Sequence, residues 1–130
     1  MKQADLKKLY KDFGHYFAKN MPMAEIKITR SASYIGCMAT ADDRKDYAIY
    51  IGKPAIELAF RTRTKNVTWE SILLHEMCHV WEFHFSRDTV VSLGKIWGGH
   101  SARFMDKLRA VERLTGIPQF WDFDPNYSGK

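Results

Sequence analysis

Residues 71–85, with the sequence SILLHEMCHVWEFHF, combine a long apolar run with histidines and glutamates. Within this stretch, His75, Glu76 and His79 form an H-E-x-x-H pattern. At about 100° per residue, a helix places the two histidines one turn apart on the same face. Two imidazoles on one face of a rigid helix can bind the same zinc ion. The stretch therefore predicts a core helix that carries half of a metal site.

Glu76 has a different place on this helix, roughly 80° round from the middle of the face that carries the histidines. That position is too far round for a natural third ligand, but near enough to reach a water molecule at the metal. A general base belongs in such a place. The alternative is a buried amphipathic helix that carries two histidines by chance. We favour the metal because His75, Glu76 and His79 would need polar partners inside an apolar helix.

The composition is that of a single globular domain. The chain has 130 residues, of which 45% are hydrophobic and 27% charged, so it can bury a core of its own. We expect one domain over 1–130, with its core at about 5–116 and a tail at 117–130. The polar N-terminus and the lack of a long apolar run indicate an intracellular protein with no signal peptide and no membrane span. Two cysteines, Cys37 and Cys78, do not make a disulfide scaffold.

Short elements with alternating and helical periods flank the motif helix. Before it, the sequence predicts an amphipathic helix over 4–19 and strands from residue 25, over 33–40 and over 47–52. Residues 55–60 fit either a strand or a short helix. Because the connections are short, we expect a small sheet of three or four mostly antiparallel strands. Thr68 or Asn66 is expected to cap the motif helix.

After the motif helix we expect a loop over 86–99 and a last helix over 101–116, which Gly116 and Pro118 end. The apolar stripe of this helix consists of Phe104, Leu108, Val111 and Leu114. The fold class is therefore α+β.

A catalytic zinc site needs a third protein ligand, and four residues downstream of His79 are candidates. His84 lies about 140° round the helix from His79, so it cannot share the site unless the helix ends first. Glu82 lies nearly on the zinc face but one turn along, which suits a supporting contact to a ligand histidine. Glu112 falls between Arg109 and Arg113, as expected of a solvated face.

His100 is the preferred third ligand, with Glu112 as the alternative. It lies in the stretch Gly98-Gly99-His100-Ser101, where glycines allow the backbone to approach a metal closely. It also opens a helix whose apolar stripe can fix it against the core. The predicted metal set is therefore His75, His79 and His100, with one zinc ion.

Two segments, LLHEMCHVW at 73–81 and GGHSARFMDKL at 98–108, resemble the SprT-like metallopeptidase domain, the family that includes Spartan. The resemblance covers about residues 5–116. It implies a zincin-like α+β fold, and it assigns His75, His79 and His100 as zinc ligands and Glu76 as the base. It also implies peptidases that act on proteins bound to or crosslinked with DNA.

We therefore expect a zinc-dependent endopeptidase in which Glu76 takes the proton of the attacking water. Arg103 and Tyr127 are candidates for stabilising the oxyanion, and Cys78 is interpreted as a core thiol. The alternative function is a zincin-like binding module with little or no hydrolytic activity, which acts in DNA-associated protein assembly. The intact Glu76 argues against this alternative, because a purely structural metal site has no need of that carboxylate.

The partners expected are a protein or peptide substrate and single-stranded DNA or DNA–protein complexes, with no membrane. The net charge is +5, and Arg61, Arg63 and Lys65 lie just before the motif helix. Trp97 could stack on unpaired bases, although packing suits it equally well. Further basic residues follow the motif helix, namely Lys95, Arg103, Lys107, Arg109 and Arg113. A solvated basic surface explains the same charges without DNA.

Overall fold

The computed structural model describes residues 1–40, 46–85 and 101–119. In these ranges the chain forms four α-helices and three strands, so the predicted α+β class is confirmed. The elements are α1 (Gln3–Phe13), β1 (Ala24–Thr29), β2 (Gly36–Thr40), β3 (Tyr47–Gly52), α2 (Lys53–Arg61), α3 (Trp69–Phe85) and α4 (Ala102–Thr115). A short 3-10 helix, Gly14–Tyr16, follows α1 and shortens the predicted first helix. None of the helices in the described part is long and apolar enough to cross a membrane.

The three strands form one sheet in the order β1-β3-β2. β1 runs parallel to β3, with Ile26 opposite Ile49, and β2 runs antiparallel to β3, with Met38 opposite Ile49. The expectation of a mostly antiparallel sheet is therefore wrong, because one of its two strand pairs is parallel. The short connection over 30–35 does not form a hairpin. It leads from β1 to β2 across the space between them, and β3 later fills that space and pairs with both strands.

Gly52 lies where this connection crosses the end of β3. Its backbone N–H donates to the carbonyl oxygen of Ile35 at 3.0 Å. A β-carbon at Gly52 would lie 2.2 Å from the carbonyl oxygen of Tyr34 and 2.6 Å from that of Ser31. Both distances are far below van der Waals contact, so only glycine allows the backbones to approach this closely. This close contact holds the start of β2 next to the end of β3.

Residues 55–60, which the sequence left as either a strand or a short helix, form part of helix α2. Ile56 and Ala59 are buried, whereas Leu58 and Phe60 remain 54% and 42% exposed. Pro54 lies in the first turn, where its missing N–H costs no helical hydrogen bond. The alternation of apolar residues in this segment therefore does not reflect a strand.

Helix α3 is the core element of the fold and packs against β2, β3, α1 and α4. Its buried residues lie on nearly every side, so the predicted core helix is confirmed. Thr68 caps it, as one of the two expected residues. The backbone N–H of Ser71 donates to Thr68 Oγ1 at 3.0 Å, and the N–H of Thr68 donates to Ser71 Oγ at 3.0 Å. Such reciprocal caps satisfy two backbone donors at the start of a helix.

Helix α4 packs on α3 through Phe104, Leu108 and Val111, which are all fully buried. Leu114, the fourth residue of the predicted stripe, is 64% exposed. It lies roughly 80–90° from the centre of the stripe, which puts it beyond the contact with α3. The helix ends at Gly116 with a φ of 73°, a left-handed conformation that glycine adopts without strain.

Candidate metal centre

The two histidines of the motif lie side by side on α3, and both are partly buried. The ring centroids of His75 and His79 are 5.0 Å apart, with an angle of 69° between the ring planes. Two imidazoles that bind one tetrahedral ion through bonds of ~2.0–2.1 Å have ring centres about 5 Å apart. The spacing of the two rings is therefore compatible with a shared ion.

Phe104 of α4 packs against both imidazoles. Its ring stacks on His79 with centroids 4.4 Å apart and 28° between the planes. It meets His75 edge-on, at a centroid distance of 5.2 Å and an angle of 68°. Phe104 is fully buried, so its ring restricts the rotation of both histidine side chains. From the sequence, Phe104 was predicted only as part of an apolar stripe.

Glu76 points from the side of α3 that packs on the sheet. Its side chain is 4% exposed. A β-carbon at Gly36, the first residue of β2, would lie 3.0 Å from Oε2 of Glu76 and 3.2 Å from its Cγ. The pKa of the neighbouring Cys37 thiol is raised, first by burial and then by the charge of Glu76. The carboxyl group therefore lies at the start of β2, on the flank of the helix face that carries the histidines.

Glu82 is the second buried glutamate of α3, with 5% of its side chain exposed. Its Oε2 accepts a hydrogen bond from the hydroxyl of Ser101. The same hydroxyl oxygen accepts a hydrogen bond from the backbone N–H of Phe104 at 3.1 Å, which makes Ser101 the N-cap of α4. Sequence reasoning expected Glu82 to support a ligand histidine. In the described residues, Glu82 holds the first turn of α4 against α3, and its support of a ligand histidine stays a prediction.

The predicted third ligand, His100, lies outside the described residues. Within 1–40, 46–85 and 101–119, no group of three histidine, cysteine, aspartate or glutamate side chains is arranged to hold a metal. The residue that follows His100 in the chain, Ser101, is the one tied to Glu82. Tyr127, Lys95 and Trp97 also lie outside these ranges.

The two other candidate ligands have contacts elsewhere. Oε2 of Glu112 accepts a hydrogen bond from the backbone N–H of Gln119 at 2.7 Å, so this carboxyl group anchors the chain after α4. His84 is exposed at the end of α3, with its Nδ1 2.8 Å from the hydroxyl of Tyr47. The contact of His84 joins segments distant in sequence, and that of Glu112 reaches past the end of α4, so helical spacing showed neither of them.

Two cations of α4 lie over one aromatic ring of α3. The guanidinium carbon of Arg103 is 4.6 Å from the ring centroid of Trp81, and the ammonium nitrogen of Lys107 is 4.8 Å from the Trp81 ring. These cation–π contacts add to the packing of α4 on α3. The sequence placed Arg103 and Lys107 on a basic surface, with Arg103 also a candidate for stabilising the oxyanion, and Trp81 in the apolar run of the motif helix. Their charged groups therefore also serve the helix–helix contact.

These observations define an α+β domain whose core helix carries a histidine pair beside a buried glutamate. The model of the SprT-like family matches residues 6–119, which is most of the chain. The chain therefore belongs to the SprT-like family, and the resemblance found in its motifs is confirmed. No curated protein and no solved structure matches it.

Proposed function

We propose that this protein is a zinc-dependent metalloendopeptidase. The observation that carries the proposal is the pairing of His75 and His79, with ring centroids 5.0 Å apart, next to the buried carboxyl group of Glu76. A buried carboxyl group beside two imidazoles on one helix suits a metal-assisted hydrolase. Membership of the SprT-like family is compatible with this reaction class.

The residues that would hold the zinc ion are His75, His79 and His100. Two imidazoles alone make a weak site, and a catalytic zinc site has three protein ligands. The contact between Glu82 and Ser101 supports the choice of His100, because it holds the residue after His100 close to α3. When bound, zinc supplies a Lewis acid that polarises the scissile carbonyl and lowers the pKa of a water molecule.

The side chains of this chain perform the proton transfers and the positioning. Glu76 takes the proton of the attacking water and delivers it to the leaving amine. Its burial against β2 keeps the carboxyl group in one region of the site. Phe104 stacks on His79 and contacts His75, so both imidazoles keep their orientation. The proposed substrate is a protein or peptide.

The experiment is a cleavage assay on an unfolded protein substrate. We expect cleavage that a chelator abolishes and added zinc restores. E76Q keeps the shape of the side chain and removes the base, so its rate should fall by about 10²–10⁴-fold while zinc content and melting temperature stay unchanged. If the wild-type protein holds zinc and cleaves no substrate, the domain is a binding module. If E76Q cleaves at the wild-type rate, the role given to Glu76 is wrong.

We also propose that the peptidase binds single-stranded DNA and acts on DNA-associated proteins. The support is the net charge of +5 and the exposed side chains of Arg61, Arg63 and Lys65 at the end of α2 and in the next loop. If these cations contact phosphates, affinity should fall with salt, with a log–log slope of roughly −0.7 per phosphate neutralised.

Replacing Arg61, Arg63 and Lys65 with glutamate should flatten the salt slope and reduce any DNA-stimulated cleavage, while zinc content stays the same. The matched control replaces Lys7, Lys8 and Lys11, which are exposed on α1, and so changes the net charge equally. Equal losses of DNA affinity in both triple variants would mean that binding depends only on the net charge of the protein. Cleavage that ignores DNA would remove this partner and leave the peptidase.

A further inference from the structure

Gly36 is the first residue of β2, an outer strand of the described sheet, and it faces α3. A β-carbon there would lie 3.0 Å from Oε2 of Glu76, 3.2 Å from its Cγ and 3.0 Å from Cγ2 of Ile72. Carbon atoms pack best at about 3.5–4.0 Å, so these distances are too short for an ordinary contact. Any side chain at position 36 must displace one of its neighbours.

The neighbour that yields is the carboxyl group of Glu76. Ile72 is fully buried in the core, where close packing leaves no room for a displaced methyl group. The backbone of β2 is also held, because Gly36 pairs with Ile51 of β3 and the N–H of Gly52 bonds the carbonyl oxygen of Ile35. The side chain of Glu76 has rotatable bonds and reaches this space from the helix. A β-carbon at position 36 would therefore first displace the carboxyl group of Glu76.

We propose that Gly36 is a positioning residue, whose missing side chain leaves the space in which the Glu76 carboxyl group is held for catalysis. This inference rests on the proposed function for its effect on rate, and on the packing alone for its effect on the carboxyl position. A general base must lie within about 2.6–3.2 Å of the atom whose proton it takes. A misplacement of about 1 Å can cost 10²-fold in rate.

The first test is G36A, which adds only a methyl group. Because the carboxyl group must shift by a few tenths of an ångström, we expect kcat to fall by up to about 10-fold, with KM and zinc content close to the wild-type values. The matched control is G14A. A β-carbon at Gly14 would meet side-chain atoms of Met21 at 3.6 and 3.8 Å, which are ordinary contacts. G14A should therefore keep the wild-type kcat.

The second test is a double-mutant cycle with E76D, which withdraws the carboxyl group from β2 by one methylene. G36A should lower kcat much less in the E76D background than in the wild type, because the added methyl group no longer meets the carboxyl group. A general disruption of β2 would give the same fold loss in both backgrounds. Equal losses, or no loss in either background, would overturn the inference.

Melting temperatures of the same four proteins provide a second readout of the cycle, and this readout does not depend on activity. G36A should lower the melting temperature of the wild type more than that of E76D. If G36A alone fails to fold, G36A/E76D should recover folded protein. An inactive wild type would refute the proposed function, and the thermal cycle would still decide whether Gly36 sets the position of the carboxyl group. Equal thermal shifts in the two backgrounds would show that it does not.

Discussion

Glu76 and Glu82 lie on the same helix and are buried to the same extent, with 4% and 5% of their side chains exposed, but their surroundings differ. They point about 120° apart, so Glu76 meets β2 and Glu82 meets α4. The carboxyl group of Glu82 accepts a hydrogen bond from the hydroxyl of Ser101, and this residue also caps α4. That of Glu76 lies against the bare backbone of Gly36, beside the histidine pair.

The two buried carboxyl groups of this helix therefore meet different partners, a helix cap at Glu82 and the backbone of a glycine at Glu76. A buried carboxyl group that accepts a hydrogen bond from a helix cap stabilises the junction of two elements. The carboxyl group of Glu76 lies instead against a glycine, in space that a side chain at position 36 would occupy. We therefore interpret Glu82 as a structural residue, whereas the catalytic role of Glu76 stays a proposal.

The contact between Glu82 and Ser101 can be broken from the serine side, which should have the largest effect on stability. S101A removes the cap, at a cost of about 1 kcal/mol. It also leaves the buried carboxyl group of Glu82 without this donor, at about 1–3 kcal/mol more. The free energy of unfolding in urea should therefore fall by roughly 2–4 kcal/mol.

Breaking the contact from the other side should cost less. E82A leaves Ser101 able to accept the N–H of Phe104, so the cap survives and the loss is about 1–2 kcal/mol. E82Q keeps an acceptor for the hydroxyl and should change stability least, while retaining cleavage. S101A/E82A should lose less than the sum of the single variants. Additive losses would mean that the two residues do not interact in solution.

Much of this molecule follows from local pattern. The core helix α3 was predicted from its continuous apolar run, and its cap at Thr68 from residue type. The stop of α4 at Gly116 followed from the need for a left-handed residue. The motifs also predicted the family. These features depend on residues near one another in the chain, which a single sequence displays.

What the sequence did not predict depends on contacts between distant segments. The parallel pairing of β1 with β3 arises because a six-residue connection crosses the sheet end, which hydrophobic alternation cannot show. The space that Gly36 leaves for Glu76 joins residues forty positions apart. The hydrogen bond from the hydroxyl of Ser101 to Glu82 joins α4 to α3, and the sequence did not predict it. His100 as third ligand stays a prediction.

The zinc content of the wild type, H100A and E112A tests the central claim most directly, because it asks whether the histidines of α3 and His100 bind one metal. We predict about one zinc per chain in the wild type and in E112A, whose carboxyl group holds the backbone of Gln119 instead. H100A should lose most of its zinc. Zinc retained in H100A and lost in E112A would contradict the account.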